Sequence, residues 1–140
     1  MQNFKEHPLF SGQIQKGKQA LKKEHRTLLK ESRARKAIHS LDFDQALKNQ
    51  HLQHKRWDYM IETSSQHIVA FEVHAYDRSA LVDKKRGTLA ILNTEFPNEK
   101  PVIVAWQVAV LGPLPRQDIL ARFRAETQIN IQRQLDLSKT

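Results

Sequence analysis

The stretch HKRWDYMIETSSQHIVAFEVHAYDRSALVDKKRGTLAIL, residues 54–92, decides the fold. Residues 57–62 and 67–74 are rich in β-branched and aromatic side chains, which favour strands. The short polar loop between them predicts that the two strands form a β-hairpin. Residues 79–92 predict a helix, for which Ser79 is a natural N-cap. The stretch therefore predicts two neighbouring strands followed by a helix that packs on them.

Downstream of this stretch, PVIVAWQVAVL, residues 101–111, predicts a third strand. It is apolar on both faces, which is typical of a strand inside a sheet. A strand that follows a hairpin through a crossover helix fits a mixed sheet. The segment 57–111 is therefore expected to be the sheet core of an α/β fold, with a small mixed β-sheet built from a β-hairpin, a crossover helix and a further strand.

Helices are expected to flank this core within a single domain, residues 1–140. Residues 11 to about 39 consist mostly of strong helix formers without proline, and Ser11 is a plausible N-cap. Residues 42–55 predict a shorter helix, and residues 116–136 predict a final one. The positions expected to face inward are Phe43, Leu47 and Leu52 in the shorter helix, and Ile119, Leu120, Phe123, Thr127, Ile131 and Leu135 in the last.

The charge distribution points to a polyanionic partner. Residues 1–56 hold 13 Lys and Arg against 5 Asp and Glu, which accounts for the whole net charge of +8, whereas residues 57–140 hold 10 of each kind. Such a field favours nucleic acid, DNA or RNA, or an anionic membrane surface. A solvated helix that keeps the protein in solution is the alternative. The basic segment 11–56 is expected to be helical, and the residues expected to contact nucleic acid are Lys16, Lys18, Lys22, Lys23, Arg26, Lys30, Arg33 and Lys84.

Several classes of protein are disfavoured by composition. There are no cysteines, so disulfides and thiolate metal sites are excluded. No apolar signal-peptide core and no run of about 18 apolar residues is present, which predicts a cytoplasmic protein that does not use a membrane. Only four glycines occur, and no glycine-rich phosphate loop is among them.

Two acidic residues on the predicted hairpin, Asp58 and Glu72, are candidates for metal-assisted hydrolysis of a phosphodiester. Mg²⁺ prefers hard oxygen ligands and keeps several waters, so two carboxylates and a carbonyl are a sufficient ligand set. They converge only if the strand register places both on one face, which the sequence does not fix. In the following helix Lys85 falls on the apolar stripe with Leu81 and Leu89, where it needs an anionic partner such as Glu72 or a phosphate. Lys84 is expected nearer to solvent.

Asp58, followed 14 positions later by the Glu72 of FEVH at the end of an apolar strand, resembles the motif of the PD-(D/E)xK nuclease-like superfamily. The resemblance extends over about residues 20–111 and implies a restriction-endonuclease-like core. It also implies a nuclease that depends on Mg²⁺ or Mn²⁺, with Asp58 and Glu72 as metal ligands, the carbonyl of Val73 as a possible third, and Glu31 or Glu24 as the acidic residue of a preceding helix.

The sequence departs from that motif at two positions. His74 stands where the motif has lysine, and Trp57 stands where proline usually precedes the aspartate. Histidine is mostly uncharged at neutral pH, so it can act as a base or a ligand but does not reproduce a permanent cation. The resemblance allows the lysine to come from the next helix, where Lys85 is the candidate.

Three functions remain open from the sequence. The first is a metal-dependent nuclease with Asp58, Glu72, His74 and Lys85 as catalytic residues. The second is a nucleic-acid-binding module of the same fold that has lost catalysis, as His74 suggests. The third is a scaffold whose basic helix docks an acidic partner. Whether the protein forms a homodimer is also open.

Overall fold

The residues that the computed structural model describes, 1–139, form a mixed α/β structure around a six-stranded sheet. The strands in this range are β1 (Ile14–Lys16), β2 (Leu29–Lys30), β3 (Ala37–Asp42), β4 (Tyr59–Thr63), β5 (Ile68–His74), β6 (Ile103–Val110), β7 (Ile129–Gln132) and β8 (Leu135–Asp136). The α-helices in the same range are α1 (Gln2–Lys5), α2 (Lys23–Arg26), α3 (Phe43–Ala46), α4 (Arg78–Glu95) and α5 (Gln117–Thr127). The sheet order is β1-β3-β4-β5-β6-β7, and β2 pairs with β8 separately.

The centre of the sheet forms as the sequence predicts. Strands β4 and β5 are an antiparallel hairpin, and α4 connects β5 to β6, which lies parallel to β5. Strand β6 lies between β5 and β7, and residues 106–110 in its second half are buried on both faces, whereas Val104 is 48% exposed. The mixed sheet with its hairpin, crossover helix and further strand is therefore confirmed.

Alternate side chains of β5 belong to two hydrophobic cores on opposite faces of the sheet. Ala70 packs in the core that α4 and α5 cover, whereas Phe71 packs in the core that the segment around Leu21 and the C-terminal segment around Leu135 cover. Because strand residues alternate between faces, Glu72 lies on the same face as Ala70. The face beneath α4 is thus the one that carries the candidate chemistry.

Helix α4 spans Arg78–Glu95 instead of residues 79–92, and its N-cap is Asp77 rather than Ser79. The Asp77 Oδ1 atom accepts a hydrogen bond from the Ala80 N–H at 3.0 Å. Gly87 in the middle of the helix has a packing reason. A Cβ at this position would lie 1.8 Å from the Lys55 carbonyl oxygen, so only glycine lets the chain before β4 cross the helix so closely.

The long helix predicted for residues 11–39 is wrong. Ser11 begins a short 3-10 turn instead of capping a helix, and Gly17 takes a left-handed φ of +56°. Residues Ala37–Asp42 form a strand because they pair with β1 on one side and β4 on the other, burying Ser40 and Leu41. These long-range pairings outweigh the high intrinsic helix propensity of the segment.

The shorter helix predicted for residues 42–55 forms only at Phe43–Ala46. Its N-cap is Asp42, whose Oδ1 accepts a hydrogen bond from the Gln45 N–H at 2.9 Å. Phe43 and Leu47 are buried as expected, but Leu52 is 75% exposed. The rest of the segment is a loop that leads into β4.

The predicted last helix, residues 116–136, ends at Thr127. Gln128 takes a left-handed φ of +59°, and the chain then continues as β7, which pairs in parallel with β6. Phe123 is buried as expected, whereas Ile119 is 39% exposed. Leu135 is buried in the core on the opposite face of the sheet, so it is not part of a helix stripe.

None of the helices within residues 1–139 has both the length and the apolar character needed to cross a bilayer.

Candidate active site

The structure brings Asp58 and Glu72 together on one face of the sheet. Tyr59 pairs with Phe71 in the antiparallel hairpin, so Asp58 stands opposite Glu72. The Asp58 N–H donates to Glu72 Oε1 at 2.8 Å, and the Val73 N–H donates to Asp58 Oδ2 at 3.2 Å. The register that the sequence left undetermined is therefore the one that makes the two carboxylates neighbours.

The lysine at this site is Lys84, and the predicted pairing of Lys85 with Glu72 is wrong. Lys84 Nζ donates to Glu72 Oε2 at 2.6 Å. Lys85 Nζ instead donates to the Thr127 carbonyl at 2.6 Å and lies 5.2 Å from the centroid of the Trp106 ring.

The helical phase of α4 explains why Lys84, rather than Lys85, contacts Glu72. The side of the helix that faces the sheet carries Leu81, Thr88 and Ile91, which are fully buried, and Lys84 lies between the first two at helical spacing. Leu89, which the sequence stripe placed inward, is 42% exposed. The sheet-facing stripe at residues 81, 84, 88 and 91 alternates steps of three and four residues and so follows the helical period of about 3.6. The predicted stripe at residues 81, 85, 89 and 92 begins with two steps of four and drifts away from the face that contacts the sheet.

Glu72 is in an unusual electrostatic state. Its side chain has no exposed surface, and burial raises its pKa to about 8, with the nearby charge of Asp58 acting in the same direction. The Lys84 ammonium and the Asp58 N–H lower this pKa but do not offset burial. A buried carboxyl of this kind takes up a proton near neutral pH unless a further cation is close to it.

The chain immediately before Asp58 is fixed to the same helix. The Thr88 Oγ1 atom accepts a hydrogen bond from the Trp57 N–H at 2.8 Å and donates one to the Lys84 carbonyl at 2.8 Å. Thr88 is fully buried, and Gly87 beside it contacts the Lys55 backbone. Sequence reasoning missed both residues, although a glycine and a threonine three and four positions after a lysine were visible in the helix.

His74 and the Val73 carbonyl complete the surroundings of the two carboxylates. The N–H and C=O of a strand residue face the same neighbour, so the Val73 carbonyl is directed to the side where its N–H meets Asp58. His74 is on the same face as Glu72 and is half-buried. Its Nδ1 lies 2.6 Å from the Ala75 carbonyl, so Nδ1 donates and Nε2 is left as the acceptor.

The free oxygen atoms at this site are hard donors of the kind that Mg²⁺ and Mn²⁺ prefer. Asp58 Oδ1 makes no hydrogen bond within residues 1–139, and each Glu72 oxygen keeps a second lone pair. In that same part of the chain, no group of three or more His, Cys, Asp and Glu side chains is arranged to bind a metal. Two carboxylates, a carbonyl and water suit Mg²⁺ or Mn²⁺, whereas Zn²⁺ in proteins prefers at least three side-chain ligands.

The expected acidic residues of a preceding helix lie elsewhere. Glu31 Oε2 accepts from the Ala37 N–H at 2.9 Å, and its Oε1 is 3.5 Å from Lys18 Nζ. Ala37 pairs with Thr63, which is five residues from Asp58 along the chain, or about 17 Å along a strand. Glu31 therefore does not reach the two carboxylates.

Glu24 is exposed on α2, on the side of the sheet where Tyr59 lies. Burial, with the charges of Asp42, Asp58 and Glu24 acting in the same direction, raises the pKa of the Tyr59 hydroxyl to about 12. Glu24 is thus electrostatically coupled to Tyr59, on the face opposite to Glu72.

The basic residues expected to contact nucleic acid are dispersed, because the helix that was to carry them does not form. Lys84 lies in the site, Lys18 pairs with Glu31, and Arg26 donates to the carbonyls of Leu21 and Gln19. The others occupy separate elements and loops: Lys16 in β1, Lys22 and Lys23 at the start of α2, Lys30 in β2, and Arg33 in the loop before β3.

Comparison with protein-family models, with curated proteins and with solved structures found no match to this chain.

Proposed function

We propose that this protein is a metal-dependent nuclease that hydrolyses phosphodiester bonds of a nucleic acid. The observation that carries the proposal is the placement of Asp58 directly opposite the buried Glu72, with Lys84 bound to that glutamate. A buried carboxyl group in contact with a lysine is costly for a small domain, and such groups cluster at functional sites.

The order of the elements also supports the proposal. Three antiparallel neighbours, β3, β4 and β5, are followed by α4 and by the parallel strand β6. This is consistent with the restriction-endonuclease-like core that the resemblance to the PD-(D/E)xK superfamily implies. The departure is the region before β3, which contains short elements instead of a long helix.

The residues of the site have distinct roles in this proposal. Asp58 and Glu72 would hold a divalent cation with the Val73 carbonyl, and that cation would polarise the phosphodiester and lower the pKa of a water molecule. Lys84 neutralises part of the negative charge that gathers next to Glu72. His74 Nε2 accepts the proton that the attacking water loses.

A nucleic-acid-binding module without catalysis is the second candidate. It is favoured by one observation, the short contact of Lys84 with Glu72, which gives the buried carboxyl group a cationic partner that is not a metal. A scaffold that binds an acidic protein through its basic residues is the third candidate, motivated by the net charge of +8.

Cleavage of labelled DNA and RNA in Mg²⁺ and in Mn²⁺ tests the nuclease proposal. Asp58→Asn and Glu72→Gln are expected to abolish cleavage, while the control Glu99→Gln, at an exposed acidic residue in a loop, leaves it unchanged. Equal cleavage by all four proteins would identify a contaminating nuclease and contradict the proposal. Binding without cleavage would favour the second candidate.

A further inference from the structure

Basic residues flank the two carboxylates on both faces of the sheet. On the face opposite to α4, the Lys22 N–H donates to the Tyr59 hydroxyl at 3.2 Å, which fixes the turn that also carries Lys23. Tyr59 directly follows Asp58 in the chain. The Lys22 ammonium lowers the pKa of Asp42 and the Asp58 carboxylate raises it, so both charges lie near Asp42 at the end of β3.

On the α4 face, Lys55 lies beside the lysine of the site. Lys55 and Lys84 line one cavity of about 250 Å³. The Lys55 backbone is pressed against Gly87, which sets the position of this loop relative to α4. A group that entered the cavity would meet Lys84, and through it Glu72.

Asp42 and Asp44, two acidic groups at this end of the sheet, already have partners. Asp44 Oδ1 accepts from Arg56 Nε at 2.9 Å, and Asp42 caps α3 through the Gln45 N–H. By contrast, Lys22, Lys23 and Lys55 are exposed and make no ion pair within residues 1–139. The three lysines are therefore ready to bind an anionic group from outside.

The surface offers charge but no platform for bases. All Phe, Trp and Tyr side chains of residues 1–139 are buried except Tyr76, which is half-buried against Phe123. Stacking on exposed aromatic rings is the usual way to hold unpaired bases, whereas lysines bind phosphates as point charges. The exposed side chains at this end of the sheet thus fit a sugar–phosphate backbone and offer little means of distinguishing one base sequence from another.

We propose that Lys22 and Lys23 on one face and Lys55 on the other, together called the basic clamp, bind phosphates of one nucleic-acid strand on either side of the two carboxylates. The nucleic-acid strand then crosses the end of the sheet where β4 begins and β5 ends, with one phosphodiester over Asp58 and Glu72. The role of the two carboxylates in this arrangement rests on the proposed function, but the clamp itself is a binding surface and is testable without catalysis.

The test is binding of a labelled single-stranded oligonucleotide in EDTA, measured by fluorescence anisotropy over a series of salt concentrations. The variant Lys22→Glu/Lys55→Glu reverses one charge on each side of the clamp. Its control, Lys36→Glu/Lys100→Glu, changes the net charge by the same amount at two exposed lysines near the other end of the hairpin. Lys36 directly precedes Ala37, which pairs with Thr63. Lys100 lies three residues before Ile103, which pairs with Ile68.

The clamp variant is expected to bind at least about tenfold more weakly than wild type, and the slope of log affinity against log salt is expected to fall in magnitude by about 1.4, the value for two lost phosphate contacts on a single strand. The control is expected to keep most of the slope. Equal losses of affinity in both variants would show that only the net charge matters and would overturn the clamp. Wild-type protein that binds polyglutamate but not the oligonucleotide would also overturn it.

The outcome separates this inference from the proposed function. Loss of binding in the clamp variant together with no metal-dependent cleavage by wild type would retain the clamp and reject the nuclease. Cleavage that depends on Asp58 and is insensitive to the clamp variant would retain the nuclease and reject the clamp. DNA and RNA oligonucleotides of the same sequence, tested in parallel, show which backbone the clamp prefers.

Discussion

Glu72 is the residue on which the chemistry of the site depends. A carboxyl group without exposed surface has lost its hydration, and only Lys84 and the Asp58 N–H replace the missing water. The raised pKa of about 8 follows from this balance. A divalent cation close to Glu72 would favour the ionised carboxylate and release the proton, so metal binding at this site is expected to strengthen as pH rises.

The first prediction concerns the pH dependence of stability. Because burial raises the pKa of Glu72 from 4.5 to about 8, the folded state holds a proton that the unfolded state has released between these values. The contribution of Glu72 to the unfolding free energy is therefore fully present below pH 4.5. It falls by about 1.4 kcal/mol per pH unit as pH rises from 4.5 to about 8, and above that pH it is lost.

Glu72→Gln removes the titrating group, so the difference in unfolding free energy between wild type and variant is expected to change by a few kcal/mol between pH 5 and pH 9. Urea unfolding of both proteins over this range, without divalent cations, measures it. Parallel curves for the two proteins would show that Glu72 does not titrate in this window.

The second prediction concerns His74 as a proton acceptor. His74→Ala is expected to lower the single-turnover cleavage rate by about 10²–10⁴-fold, the usual contribution of a general base, while Mn²⁺ affinity changes little. His67→Ala, at an exposed histidine near the other end of β5, is the matched control. If both variants cleave at the same rate, His74 has no catalytic role.

At the scale of elements, the central hairpin, α4 and β6 were predictable because local pattern and tertiary environment agree. Side chains that alternate between the two sheet faces in β5, an apolar β6 and the helical pattern of α4 all appear in the sequence as the structure has them, although the N-cap of α4 is Asp77 rather than Ser79. The residues that hold the carboxylates were found for the same reason, since they lie on the hairpin. The error of one position between Lys84 and Lys85 came from the helix phase, which a stripe with few apolar residues fixes poorly.

The flanking elements were not predictable from local pattern. Residues 11–39 consist of helix formers, but Ala37–Asp42 completes a sheet whose other strands are far away in the chain. Likewise β7 follows α5 only because the internal strand β6 needs a neighbour on its open side. Such pairings depend on residues distant in sequence, which intrinsic propensity does not include.

The third prediction tests how α4 positions the chain before β4. Gly87→Ala places a methyl group 1.8 Å from the Lys55 carbonyl oxygen, so the loop must move and Asp58 with it. Although alanine favours a helix by about 1 kcal/mol over glycine, the clash is expected to lower the unfolding free energy by about 1–3 kcal/mol. Gly12→Ala, where no atom lies within 4 Å, is expected to change it by less than about 0.5 kcal/mol. Urea unfolding that ranks the two variants in the opposite order would contradict this account of Gly87.

At the scale of the molecule, the excess positive charge of residues 1–56 does not form one basic helix face. The structure distributes these lysines and arginines over the edge strand β1, the turn at Lys22, the loop at Lys55 and the opposite end of the sheet near Lys36. Only a subset therefore lies beside Asp58 and Glu72, and the others contribute to the long-range field alone. Composition predicts an anionic partner, and the fold determines which charges lie where such a partner would bind.

The central claim is that Asp58 and Glu72 together hold one divalent cation. A crystal structure of the wild-type protein with Mn²⁺ at pH above 8, with anomalous diffraction data collected for manganese, tests this claim most directly. The account predicts one anomalous peak within about 2.5 Å of oxygen atoms from both carboxylates, which disappears in Asp58→Asn. Absence of a peak at these residues in saturating Mn²⁺, with Lys84 still bound to Glu72, would contradict it.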